Sequence, residues 1–79
     1  MESCRKRCNG HRLLYALFRQ GRRIGILVVM DDLEFAVQPD ITGSHLQAKG
    51  FFDRIVAGLV YPAQLGEVLA DLLAEEDCR

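Results

Sequence analysis

The sequence predicts a small α+β domain, a three-stranded antiparallel β-meander followed by two α-helices packed on one face. Three observations carry this. A chain of 79 residues has room for one hydrophobic core, and 49% hydrophobic with 27% charged residues is an ordinary globular balance. Between His11 and Gln38, two turns imply registers that set apolar residues opposite one another. From Pro62 to Glu76, apolar residues recur at i, i+3 and i+4.

Taken in order, residues 1–10 are basic and polar and read as a mobile N-terminal arm, leaving 11–79 as the single domain. Nothing in the arm resembles the apolar stretch of a secretory signal, so a cytoplasmic location is expected. No apolar stretch approaches the roughly 20 residues of a spanning helix, so no membrane partner is expected.

The first two strands follow from Gly21-Arg22 as a two-residue turn with glycine first. Arg19 then pairs with Ile24, Leu17 with Ile26, Tyr15 with Val28 and Leu13 with Met30, all on one face. With Asp31-Asp32 as a second two-residue turn, Met30 pairs with Leu33, Val28 with Phe35 and Ile26 with Val37, and the same face continues. That turn is the weaker, because its second position favours glycine. The opposite face then carries Leu14, Ala16, Phe18, Gly25, Leu27 and Val29, with Glu34, Ala36 and Gln38 on the third strand. Leu14, Phe18, Leu27 and Val29 require either a cover or a binding partner, since a wet sheet face is expected to be polar.

Pro39, Thr42, Gly43 and Ser44 break the chain after the sheet. His45–Val60 reads as a helix in preference to a fourth strand, with Ser44 as its N-cap and Ala48, Phe52, Ile55, Val56 and Leu59 on its apolar side. The second helix, 62–76, is the surest element. Pro62 suits its first position, and Leu65, Val68, Leu69, Leu72 and Leu73 form its stripe.

Charge is divided unevenly. Residues 1–23 hold seven of the ten basic side chains against Glu2 alone, whereas residues 24–79 hold three basic side chains against ten acids. Such asymmetry points to an anionic or acidic partner, or to mutual neutralisation of the two parts. Glu67, Asp71 and Glu75 line the wet face of the second helix, and Arg19, Arg22 and Arg23 are their natural complement, within the molecule or in another copy.

No motif names a reaction. Cys4, Cys8 and His11, with Cys78 or His45 as a fourth ligand, form the best zinc candidate, but their spacing departs from the common C-x2-C knuckle, and free thiols are the simpler expectation. No serine, cysteine and histidine set suggests a nucleophile with its base, so neither enzymatic activity nor a cofactor is expected. Nucleic acid is the alternative partner, with Arg5, Lys6, Arg7 and Arg12 tracking phosphates beside the Arg19–Arg23 turn. Placement of Tyr15 and Phe35 in the core leaves only Phe18 to stack, which weighs against it.

The favoured expectation is a small non-catalytic protein-interaction module, a stoichiometric binder or inhibitor of a larger cytoplasmic protein. It would act through Leu14, Phe18, Leu27 and Val29 with Arg19, Arg22 and Arg23, and a homodimer on the same face is expected to enlarge its thin core. In size alone it is similar to the inhibitors that phages and plasmids encode, anti-CRISPR proteins among them.

Overall fold

The computed structural model describes residues 2–77. Four strands, β1 (Glu2–Cys8), β2 (His11–Gln20), β3 (Arg23–Met30) and β4 (Glu34–Thr42), form one antiparallel sheet in the order β1-β2-β3-β4. Then come α1 (His45–Ala57), a short 3-10 turn (Pro62–Gln64) and α2 (Leu65–Asp77), all on one side of the sheet. The class and the two final helices match the sequence reading; the strand count does not.

The additional strand is β1, so Glu2–Cys8 are part of the sheet and not a separate arm. Its cause is local. Asn9 and Gly10 both take positive φ, at 50° and 82°, as a two-residue hairpin turn of the primed type demands. Cys8 then pairs with His11, Arg7 with Arg12 and Arg5 with Leu14. The apolar signal in β1 is slight, but Cys4 and Cys8 fall on the helix-covered side and pack against the core.

The β2–β3 register is the one that the turn at Gly21-Arg22 dictates, including Leu13 with Met30 and Tyr15 with Val28. Leu13, Tyr15, Leu17, Ile24, Ile26 and Val28 all lie buried beneath the helices. Each such side chain contributes about 1.5–3 kcal/mol by leaving water. From α1 come Ala48, Phe51, Phe52 and Ile55, and from α2 come Leu65, Leu69 and Leu72, with Val68 and Leu73 at the margin. Tyr15 crosses this core to donate a hydrogen bond to the Val60 carbonyl at 3.0 Å, and burial pushes its pKa up to about 12.

The β3–β4 register corrects the sequence reading. Asp31 and Asp32 do turn the chain, with φ of 55° and 59° and a bond from the Leu33 amide to the Met30 carbonyl at 3.1 Å. Pairing resumes one residue later, however, with Met30 opposite Glu34, Val29 opposite Phe35 and Leu27 opposite Val37. A shift of one residue moves every side chain of a strand to its other face. Phe35 and Val37 therefore leave the core, and Ala36 takes their place against it. Further along, the ladder is irregular between Ile24 and Ile26, where β4 carries Pro39, which has no amide to donate.

His45–Ala57 is helical and not a strand. Ser44 accepts from the Gln47 amide at 3.3 Å, and Gly58 closes the other end. Pro62 opens the 3-10 turn rather than α2 itself, so the predicted helix 62–76 is two joined elements. Among the described residues no helix is long and apolar enough to cross a membrane.

Candidate functional site

The face of the sheet away from the helices is covered by none of the described residues and forms a grid set by the three registers. One row across the four strands reads Arg5, Leu14, Val29, Phe35, and the next reads Ser3, Ala16, Leu27, Val37. Phe18 lies beyond them, opposite Gly25. Phe35 is 71% exposed and Val37 43%. Strands spaced about 4.8 Å apart with residues every 3.3 Å make this apolar centre on the order of 250 Å2 in projection, notable for its contiguity on a sheet face rather than for its size.

Leu14, Phe18, Leu27 and Val29 thus share one open face with Ala16, as the sequence implies. Phe35 and Val37 join them, which strand alternation alone could not reveal because the length of the preceding loop decides it. Phe18 also shields Gly25, where a Cβ would come within 2.6 Å of the ring.

One corner of the face is basic. Arg5, Arg7 and Arg12 project on the open side, because Arg7 is the direct partner of Arg12 and Arg5 lies diagonal to it. With Asp32 they line a concavity of about 470 Å3 against Leu14 and Val29, whose rim continues to Lys6 and the backbone around Leu13 on the other side of the sheet edge. Among the described residues, Arg5, Lys6 and Arg7 have no ion-pair partner, and Arg12 meets only Asp32, at 3.7 Å.

The corner is held from behind by Asp31. Its carboxylate accepts from the Arg12 amide at 2.8 Å and from His11 Nδ1 at 2.7 Å, while its own amide donates to the Arg12 carbonyl at 2.9 Å. The Arg12 amide, and after it the His11 ring, hold the Asp31 carboxyl below its usual pKa. The Tyr61 hydroxyl reaches Cys8 Sγ at 3.7 Å, and its ring stands edge-on to His11 with centroids 6.0 Å apart. This contact with Cys8 raises the Tyr61 pKa.

The remaining sequence candidates are dispersed. Arg19 donates to the Gly21 carbonyl at 3.0 Å and Arg23 pairs with Asp40, at the opposite end of β2 from Arg12, about 23 Å away by strand rise. The two basic sets therefore do not form one surface. Nor do Arg19, Arg22 and Arg23 pair with α2 among the described residues, where Glu75 instead takes Arg54 at 3.0 Å. Cys4 and Cys8 stand about 13 Å apart along one strand, too far to share a metal, and Cys78 lies outside the described residues. Among the described residues no group of three His, Cys, Asp or Glu side chains could hold a metal ion. A second groove, between the free edge of β1 and α1, is spanned by Lys49, which binds Glu2 at 2.7 Å and Asp53 at 2.9 Å.

No family model, curated protein or solved structure matches the chain.

Proposed function

We propose that the chain is a small protein-interaction module that binds a larger protein through the open face of its sheet, as a stoichiometric binder or inhibitor. The observation that carries this reading is the uncovered set of Leu14, Ala16, Phe18, Leu27, Val29, Phe35 and Val37, contiguous across three strands. An aliphatic centre beside arginines fits a partner surface that is apolar with acidic residues along one side.

The charge pattern distinguishes such a partner from a second copy of the chain. Of the acids bordering the face, Asp31 is held by His11 and Asp40 by Arg23, while Asp32 lies 3.7 Å from Arg12 and Glu34 has no ion-pair partner among the described residues. A twofold sheet-on-sheet dimer would bring two sets of Arg5 and Arg7 to one interface with only the exposed Asp32 and Glu34 to offset them. A heterologous acidic partner is therefore the occupant the surface suits, against the homodimer expected from the sequence.

A specific observation supports a second reading. Phe35, expected in the core, instead stands on the face that carries Arg5, Arg7 and Arg12, which puts rings and cations together as single-strand binders require. Overall charge and the aliphatic centre favour protein.

The test combines native mass spectrometry of the purified chain with reconstitution of a one-to-one complex from a purified, captured partner. Leu27→Asp should abolish that complex while the variant stays folded by circular dichroism. A wild-type dimer, or a complex that survives Leu27→Asp, overturns the reading. Binding to a single strand instead, losing roughly 20-fold in affinity between 50 and 200 mM salt as three phosphate contacts imply, would establish the second one.

A further inference from the structure

We infer that the basic corner of the open face is a binding site for a phosphoryl-class oxyanion, a site that stands independently of what covers the apolar centre. The first argument is the register. Arg7 is placed directly opposite Arg12, and like charges in that position destabilise a sheet. Arg5 adds a third guanidinium on the diagonal, on the same face. The strand cannot relieve this by slipping, because the Asn9-Gly10 turn fixes the pairing and Cys4 and Cys8 are committed to the core side.

The second argument is preorganisation. The Arg12 backbone is held at both its amide and its carbonyl by Asp31, so the position of that residue is set before any ligand arrives. Cross-strand Cβ atoms lie about 5 Å apart and diagonal ones about 7–8 Å, well within reach of three arginine side chains meeting over one point. The third argument is what surrounds them: a concavity of about 470 Å3 with Leu14 and Val29 in its floor and Asp32 as its one acid. Asp32 approaches Arg12 no closer than 3.7 Å, and the side chains of both are largely exposed, so it compensates little of the charge.

Three guanidinium forks around one point suit a group with three terminal oxygens better than a single carboxylate, which offers two. The ligand class is accordingly a phosphoryl dianion. Arg22, at the far turn and exposed, serves as an internal control.

The experiment is thermal unfolding in sodium pyrophosphate against sodium chloride at matched ionic strength, with Arg7→Gln, Arg5→Gln and Arg22→Gln variants. Pyrophosphate should raise the melting temperature of the wild type by about 4–8 °C once it reaches about five times its dissociation constant. Arg7→Gln should melt higher than wild type in chloride, because a repulsion is removed, and should lose the pyrophosphate increment. Arg5→Gln should lose most of the increment, and Arg22→Gln should keep it. In a 15N spectrum, pyrophosphate should shift the Nε–Hε resonances of Arg5, Arg7 and Arg12 but not that of Arg54, which Glu75 holds. A melting rise that persists in Arg7→Gln, or no rise in the wild type, overturns the site. Binding of a single-stranded oligonucleotide without any response to pyrophosphate also overturns it, since the phosphate there is a monoanionic diester.

Discussion

At the scale of single residues, Gly25 shows how closely the open face is built. A Cβ at this position would lie 2.5 Å from the Gln38 carbonyl oxygen, 2.6 Å from the Phe18 ring and 2.7 Å from the Pro39 Cα. Two of those neighbours are backbone and cannot swing aside, so Gly25→Ala should destabilise the fold by about 1–3 kcal/mol. Urea unfolding measures this, and a loss below about 0.5 kcal/mol would mean that β4 does not pass so near. Tyr15 is the polar counterpart, a buried ring whose hydroxyl has its partner in Val60, and none of the buried side-chain polar atoms among the described residues lacks one. Both roles could be anticipated in part. Phe18 stands over Gly25 because the β2–β3 register, legible from the turn, sets them opposite, whereas Gln38 and Pro39 approach where the β3–β4 ladder becomes irregular, a register that the sequence alone does not fix.

Elements were legible where their signals repeat. Leu13, Tyr15 and Leu17 against Ile24, Ile26 and Val28 share a face under a single turn, and the stripe from Leu65 to Leu73 marks α2 unaided. Hydrophobic alternation could not reveal β1, since Arg5, Lys6 and Arg7 give it none; the informative signal was the Asn9-Gly10 pair, a strong hairpin signature. β4 was found but placed a residue out, because its face depends on how many residues the loop spends and not on the strand itself. The candidate site inherited both errors: its basic corner was read as an arm, and Phe35 as core. If the turn is what holds β1 in the sheet, Gly10→Ala, at φ 82°, should cost about 1 kcal/mol and act locally. Hydrogen exchange should then speed up in Glu2–Cys8 while Leu13–Leu17 stay protected. Equal loss across β1 and β2 would show that the two strands open as one unit.

The molecule as a whole is a sheet with one covered side, and its ionisable groups bound the pH range over which it holds. Asp31 has its pKa lowered in the fold by the Arg12 amide and then by His11, so its contribution is present above the ordinary carboxylate range and disappears as pH falls through it. Tyr15 has its pKa raised to about 12, chiefly by burial, so its contribution is complete below about pH 10 and is lost as pH rises towards 12. Lys49, raised by Glu2 and then Asp53, falls on the same alkaline limb. Melting temperature should therefore be level between these limits, with Asp31→Asn flattening the acid limb and Tyr15→Phe part of the alkaline one; limbs unchanged by either variant would assign them to other groups. The charges also differ from layer to layer. Three arginines look out from one corner of the sheet, whereas α2 exposes Glu67, Asp71 and Glu75 and no base among the described side chains. An anionic body drawing near pulls one side forward and pushes the other back, so the protein experiences a torque while still a Debye length away. It turns sheet-first before touching anything, and collisions that begin in the wrong orientation are partly corrected in flight.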